Sequence, residues 1–166
     1  MKSGRLICYL VAALTLLADV ASKTWAVTAL ADGEKHRVIG ALLSFHYARN
    51  PGAAFSFATG STWVFTLIST AVSISILIMA RKISSGPWAL ALGLLLGGAL
   101  GNLGDRVFRS PGALRGLVVD WIELPHWPIF NIADSAIVTA AVLIAVASIR
   151  GVGFRDGSQN ERSEQS

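Results

Sequence analysis

Residues 6–30 read LICYLVAALTLLADVASKTWAVTAL, an apolar run of 25 residues whose only charges are Asp19 and Lys23. A helix needs about 20 predominantly apolar residues to cross the hydrocarbon core of a bilayer. Lys2 and Arg5 precede the run, but it is too long for a signal-peptide core of roughly 7–15 residues. It predicts a membrane-spanning helix with two ionisable groups inside it.

Three more segments approach the same length. They run over about 63–80, ended by Arg81 and Lys82; about 88–103, entered after Gly86 and Pro87; and about 129–149, ended by Arg150. Trp63, Trp88 and Trp127 stand at segment ends, where amphipathic rings favour the membrane interface. Composition agrees. Of the 166 residues, 53% are hydrophobic and 14% charged, with a mean hydropathy of +0.58. Soluble domains carry about 25% charged residues. The balance excludes a disordered chain and leaves too few polar residues to cover a soluble globule.

The expected fold is an all-α integral membrane protein. It has four transmembrane helices, a small extracytoplasmic β-unit and a short interfacial helix. One domain covers 1–150, with spans near 6–30, 63–80, 88–103 and 129–149 and outer loops 31–62 and 104–128. Residues 151–166 are polar and are expected as a disordered cytoplasmic tail. The basic residues Arg5, Arg81, Lys82 and Arg150 hug the span ends on one side, which favours both termini in the cytoplasm. The net charge of +4 forms no basic run, so nucleic acid is not an expected partner. The lone Cys8 excludes an internal disulfide and reads as a small buried hydrophobe.

Gly93, Gly97 and Gly101 recur every fourth residue and line one helix face, which allows a neighbouring helix to approach closely. In the first loop, Leu43, Phe45 and Tyr47 alternate with Ser44, His46 and Ala48, a strand pattern. Asn50 then reads as a helix N-cap with Pro51 at the first helical position, opening a short helix with Phe55 and Phe57. In the second loop, Leu117, Val118 and Val119 are strand-like.

Ionisable residues inside spans are costly and mark function by default. At about 1.5 Å rise per residue, Asp19 lies roughly 20 Å past Leu6 and Asn102 roughly 21 Å past Trp88. Asp134 is about 8 Å past Ile129 on the same scale. All three gather in the outer half of the membrane. Asp19 and Lys23 share a helix face and can pair. Asp120 and Asp134 are the leading chemical pair. Two close carboxylates in a low-dielectric site share a proton, so that one serves as base and the other as acid toward a water. Glu123 is a rival, expected to be solvated, and Asp105 is another, expected to pair with Arg109. A small proton-coupled transporter would also use buried acids, but with polar groups across the full bilayer depth. Serine chemistry lacks a placed base, since His36, His46 and His126 all fall in loops. No metal-ligand spacing appears, and no cofactor is expected.

Five blocks carry these residues: DVASK (19–23), NPGAAFSF (50–57), GGALGNLGDR (97–106), VVDW (118–121) and FNIADS (130–135). In this order, on four spans, the chain resembles the lipoprotein signal peptidase (type II signal peptidase) family. The resemblance implies an aspartic endopeptidase of the bacterial inner membrane, with its active site near the outer face. It would act as a monomer among membrane lipids, cutting diacylglyceryl-modified prolipoproteins just before the lipidated cysteine. It makes Asp120 and Asp134 the catalytic pair. Asn50, Gly52, Asn102, Arg106, Asn131 and Ala133 match the positions around them, with Asp19 and Lys23 in support. Three departures stand out: Gly104, where the family often has a bulkier residue, a long segment from Val107 to Leu117, and Pro51 at a variable position.

Overall fold

A computed structural model of the chain describes residues 2–52, 62–112 and 114–155. Four helices form a bundle: α1 (Lys2–Ala29), α2 (Thr62–Ala80), α3 (Gly86–Phe108) and α4 (Ile132–Ile149). Each is long and apolar enough to cross a membrane. Three strands, β1 (His36–Ile39), β2 (Leu43–Asn50) and β3 (Val118–Glu123), make one antiparallel sheet in the order β1-β2-β3. Both expected strand regions are therefore present.

Helix α3 is the centre of the bundle and packs against the other three. Glycine makes this possible. A Cβ on Gly93 would lie 2.7 Å from the Cys8 carbonyl, and one on Gly97 would lie 2.6 Å from the Ala12 carbonyl. One on Gly98 would meet the Ala133 carbonyl of α4 at 2.6 Å. The glycine stripe thus seats α1, and Gly98 beside it seats α4. At the end of the bundle away from the sheet, Cys8, Ile76, Ile83, Leu92 and Leu96 close an apolar core.

The sheet is fastened to α1 by aromatic rings. Trp25, Phe45 and Trp121 meet edge to face, with centroids 5.1–5.5 Å apart. After β3 the chain folds back, and Phe130 exchanges backbone hydrogen bonds with Ile122 at 2.9 and 3.0 Å. That return delivers Asn131 to the start of α4.

Three boundaries differ from the expected ones. Helix α3 continues past residue 103 to Phe108 because Asp105 and Arg106 are buried there rather than solvated. Hydropathy marks where the membrane ends, not where the helix ends. Helix α4 begins at Ile132, since Asn131 caps it and the residues before it serve the sheet. Asn50 ends β2, and Pro51 and Gly52 form a bend rather than a helical turn. The short helix expected with Phe55 and Phe57 lies in 53–61, outside the described residues.

Of the long 107–117 segment, residues 107 and 108 complete α3, and residues 109–112 and 114–117 fold tightly against its end. Gly116 donates to the Arg106 carbonyl at 2.9 Å, and Thr66 of α2 donates to the Leu114 carbonyl at 2.7 Å. Residues 151–155, expected to begin a disordered tail, are instead held against α3. Trp88 donates its indole N–H to the Val152 carbonyl at 2.8 Å and packs on Phe154. The remainder, 156–166, lies outside the described residues.

A methyl group at Gly97 must push against α1 backbone, whereas one at Gly86 meets nothing within 4 Å. Gly97→Ala is expected to lower stability by about 1–3 kcal/mol, the usual cost of overpacking. Gly86→Ala should leave the thermal midpoint of the detergent-purified protein unchanged. Comparing the two midpoints checks the helix contact.

Candidate active site

At the sheet end of the bundle, polar side chains from α1, α3, α4, β2 and β3 converge. Asn131 lies at the centre and is fully buried. Its position follows from local sequence. As N-cap of α4 it accepts the Asp134 N–H on its side-chain oxygen at 2.9 Å, while its own N–H donates to Asp134 Oδ2 at 3.2 Å. This is a capping box with Asp134 in the Glu/Gln role. The amide nitrogen of Asn131 then faces β3, and donates to Asp120 Oδ1 at 2.6 Å. One side chain therefore touches both carboxylates of the expected pair.

Each carboxylate has a second amide partner. Asn50, at the end of β2, donates Nδ2 to Asp120 Oδ2 at 2.8 Å. Its side-chain oxygen accepts the Gly52 N–H at 2.7 Å, which aims the amide. Gly52 sits at φ +101°, a conformation that L side chains rarely adopt, and an added Cβ would overlap the Phe65 ring. Asn102 of α3 donates Nδ2 to Asp134 Oδ1 at 2.8 Å.

Asp120 is almost fully buried. Burial pushes its carboxyl up to about 6. The Asn50 hydrogen bond opposes this and the nearby Asp134 charge adds to it. A cavity of about 310 Å³ opens on Asp120, between Asn50 and Pro51 on one side and Pro128 and Ile129 on the other.

Behind the two carboxyls lies a buried ionic layer. Lys23 is paired with Asp19 at 2.7 Å and with Asp105 at 2.9 Å, and donates to Asn102 Oδ1 at 2.9 Å. Lys23 thus fixes the orientation of the Asn102 amide that serves Asp134. Asp19 Oδ1 accepts the Ala133 N–H at 2.9 Å, which ties α1 to the first turn of α4. The role of Ala133 is carried by its backbone. A Cβ at Gly101 would meet Asp19 Oδ2 at 2.5 Å, so only glycine there admits the ion pair.

Asp105 is held by Arg109, as expected from spacing, and also by Lys23 and the Val119 N–H. Its link to Lys23 was not expected, because spacing along one helix says nothing about a partner on another. Arg106 is buried with its guanidinium over the Phe65 ring, 5.4 Å from the centroid. It is within electrostatic reach of Asp120, Asp105 and Asp134. Its Nη1 has no hydrogen-bond partner among the described residues. Phe65 had no signal in the sequence beyond being one apolar residue of a span. The rival acid Glu123 is engaged by Lys35 at 2.6 Å and His46 at 3.1 Å, away from the cluster. The Lys35 hydrogen bond holds its carboxyl below the usual range. Among the described residues, no group of His, Cys, Asp and Glu could hold a metal ion.

A family model described as signal peptidase (SPase) II matches residues 11–150. The lipoprotein signal peptidase of Mycobacterium avium (strain 104) is 47% identical over 156 residues, covering 94% of this chain and 86% of that one. That of Rhodococcus jostii (strain RHA1) is 46% identical over 156 residues, covering 92% and 79%. A solved bacterial membrane enzyme has the same fold, with a TM-score of 0.76 at 29% identity over 91% of this chain and 92% of that one.

Lys23 pairs with two buried carboxylates at once, and its removal strands Asp19, whereas Asp105 keeps Arg109. Breaking a buried pair by deleting one partner costs about 3–5 kcal/mol. Lys23→Met is expected to lose stability of that order, seen as a fall in the thermal midpoint of the purified protein. Val20→Met, on an exposed position of the same helix, should not change it.

Proposed function

The chain belongs to the signal peptidase (SPase) II family, and we propose that Asp120 and Asp134 are its catalytic pair. It is a multi-pass membrane protease that removes signal peptides from prolipoproteins. The finer reading is an aspartic endopeptidase that cuts immediately before the S-diacylglyceryl cysteine. The observation that carries it is the Asn131 side chain, bonded to Asp120 and capped on Asp134.

Charge balance supports a pair that shares one proton. Asp19, Asp105, Asp120 and Asp134 are four acids, set against three cations, Lys23, Arg106 and Arg109. A single proton on the pair brings the sum of these charges to zero. Burial favours the protonated form of Asp120, and the pair titrates as a unit.

A water between the carboxyls would then lose a proton to the ionised Asp134 as its oxygen attacks the scissile carbonyl carbon. Asp120 would give its proton to the carbonyl oxygen. The gem-diol intermediate collapses when the amide nitrogen takes the proton from Asp134 and leaves as the amine of the lipidated cysteine, while one hydroxyl returns its proton to Asp120 and the starting pair is restored. No covalent enzyme intermediate forms, because water is the nucleophile and the carboxylates only move protons. Asn102 and Asn50 orient the two carboxyls, and Arg106 Nη1, without a hydrogen-bond partner among the described residues, offers a donor to substrate backbone.

In the proposed orientation both termini are cytoplasmic, which puts the sheet and the site at the outer face of the inner membrane. The diacylglyceryl group can then stay in lipid while the peptide enters the cavity beside Asp120. The chain is proposed to act as a monomer, as one domain over 1–150.

Asp120→Asn and Asp134→Asn are each expected to abolish cleavage of a lipidated precursor, a loss of roughly 10²–10⁴-fold or more for an acid–base group. The variants should still insert in the membrane. A gel-shift assay with purified proteins checks this, and full activity in either variant overturns the pair. A second expectation concerns pH. The Asn50 hydrogen bond favours the ionised form of Asp120, so Asn50→Leu should move the limb that reports Asp120 in the kcat/KM profile to higher pH. A limb that stays in place or moves lower contradicts it.

A further inference from the structure

On the far side of α3 from the carboxylates, a groove of about 720 Å³ runs between α1 and α3. Its walls are apolar, with Leu17 and Val20 from α1 and Leu100, Leu103 and Phe108 from α3. Gly104 forms part of its floor, and a Cβ there would meet nothing within 4 Å. Residues of a helix turn by about 100° each, so Gly104 faces about 200° away from both Asn102 and Arg106. The groove therefore opens to the lipid side, not to the cavity beside Asp120.

The groove does not end in apolar residues. At the sheet end it adjoins a second cavity of about 280 Å³, with Phe108 and Arg109 lining both. This second cavity is polar and basic, with Arg49, Arg109, Tyr47 and Ser110 in its walls. Arg49 bonds Tyr47 through Nε at 2.8 Å, and Arg109 bonds Asp105 through Nε. Neither arginine's terminal nitrogens make a hydrogen bond among the described residues. The one acid at the junction, Asp105, has both oxygens engaged by Lys23, Arg109 and the Val119 N–H. Among the described residues lining the junction, no unengaged carboxylate opposes an anion.

An apolar slot joined to a pocket with two guanidiniums and two hydroxyls has the two halves of an anionic phospholipid. We propose that the groove and its arginine pocket hold one such lipid, with an acyl chain between α1 and α3 and the phosphate beside Arg49 and Arg109. A neutral apolar occupant would leave the arginines unused, and a peptide would not need a slot opening to lipid. The bound lipid would cover the seam above Gly101, where α1 carries the Asp19–Lys23 pair into the site. The occupant is a resident of the membrane and not the substrate.

The test uses the full chain, delipidated in detergent and offered dioleoylphosphatidylglycerol or dioleoylphosphatidylcholine, with bound lipid counted by native mass spectrometry. The wild type is expected to retain one phosphatidylglycerol in preference to phosphatidylcholine. Gly104→Leu projects into the groove from a position where an added Cβ meets nothing within 4 Å, and should lose most of that lipid, as should Val20→Phe from the opposite wall. Arg49→Gln should weaken the preference by roughly five-fold, the pull of one arginine on an anionic lipid. Equal retention of the two lipids by the wild type overturns the proposal. So does undiminished phosphatidylglycerol in Gly104→Leu and Val20→Phe.

Discussion

Asn131 is the residue on which the arrangement depends. It is fully buried, so its amide must find partners inside the protein. It finds them on three elements. Its oxygen starts α4, its nitrogen holds Asp120 of β3, and the same nitrogen lies 3.2 Å from Asn102 Oδ1 on α3. Helix capping is an ordinary local device. Here it also sets the distance between two acids that lie 14 positions apart in the chain.

The buried ionic layer explains why the rest of the bundle has its shape. Charges in a bilayer are tolerated when they pair inside a bundle. Asp19 and Lys23 can do so only because Gly101 lets α1 come close, and because Ala133 offers its N–H from α4. The glycine stripe is thus not a general packing feature alone. It brings the helix that carries the counter-charge to within hydrogen-bond distance of Asn102, and through Asn102 to Asp134. The sheet supplies the other half, clamped on α1 by Trp25, Phe45 and Trp121.

Much of this was legible in the sequence, for reasons that differ by residue. The four spans follow from hydropathy, and the Asp19–Lys23 contact follows from spacing within one helix. The common depth of Asp19, Asn102 and Asp134 follows from rise per residue, and the Asn102–Asp134 hydrogen bond and the Lys23 bridge from Asp19 to Asn102 agree with it. What spacing could not reveal were contacts between elements. Asp105 reads as a partner of Arg109 alone, yet it also takes Lys23 from another helix. The extension of α3 to Phe108 was hidden because polar residues that pair inside a protein resemble polar residues that meet water. Asn50 carries cap chemistry, and it uses its oxygen as a cap would, on Gly52, but its nitrogen serves Asp120.

The central claim is that one asparagine couples the two acids into a working pair. Asn131→Ser tests it most directly, because serine retains a cap acceptor for α4 while removing the amide donor to Asp120. The measurement is kcat on a lipidated precursor, with the thermal midpoint recorded alongside. The expected result is a fall in kcat of about 100-fold or more, the size seen when a reacting group is misplaced by an ångström, with little change in the midpoint. A kcat close to that of the wild type would contradict it.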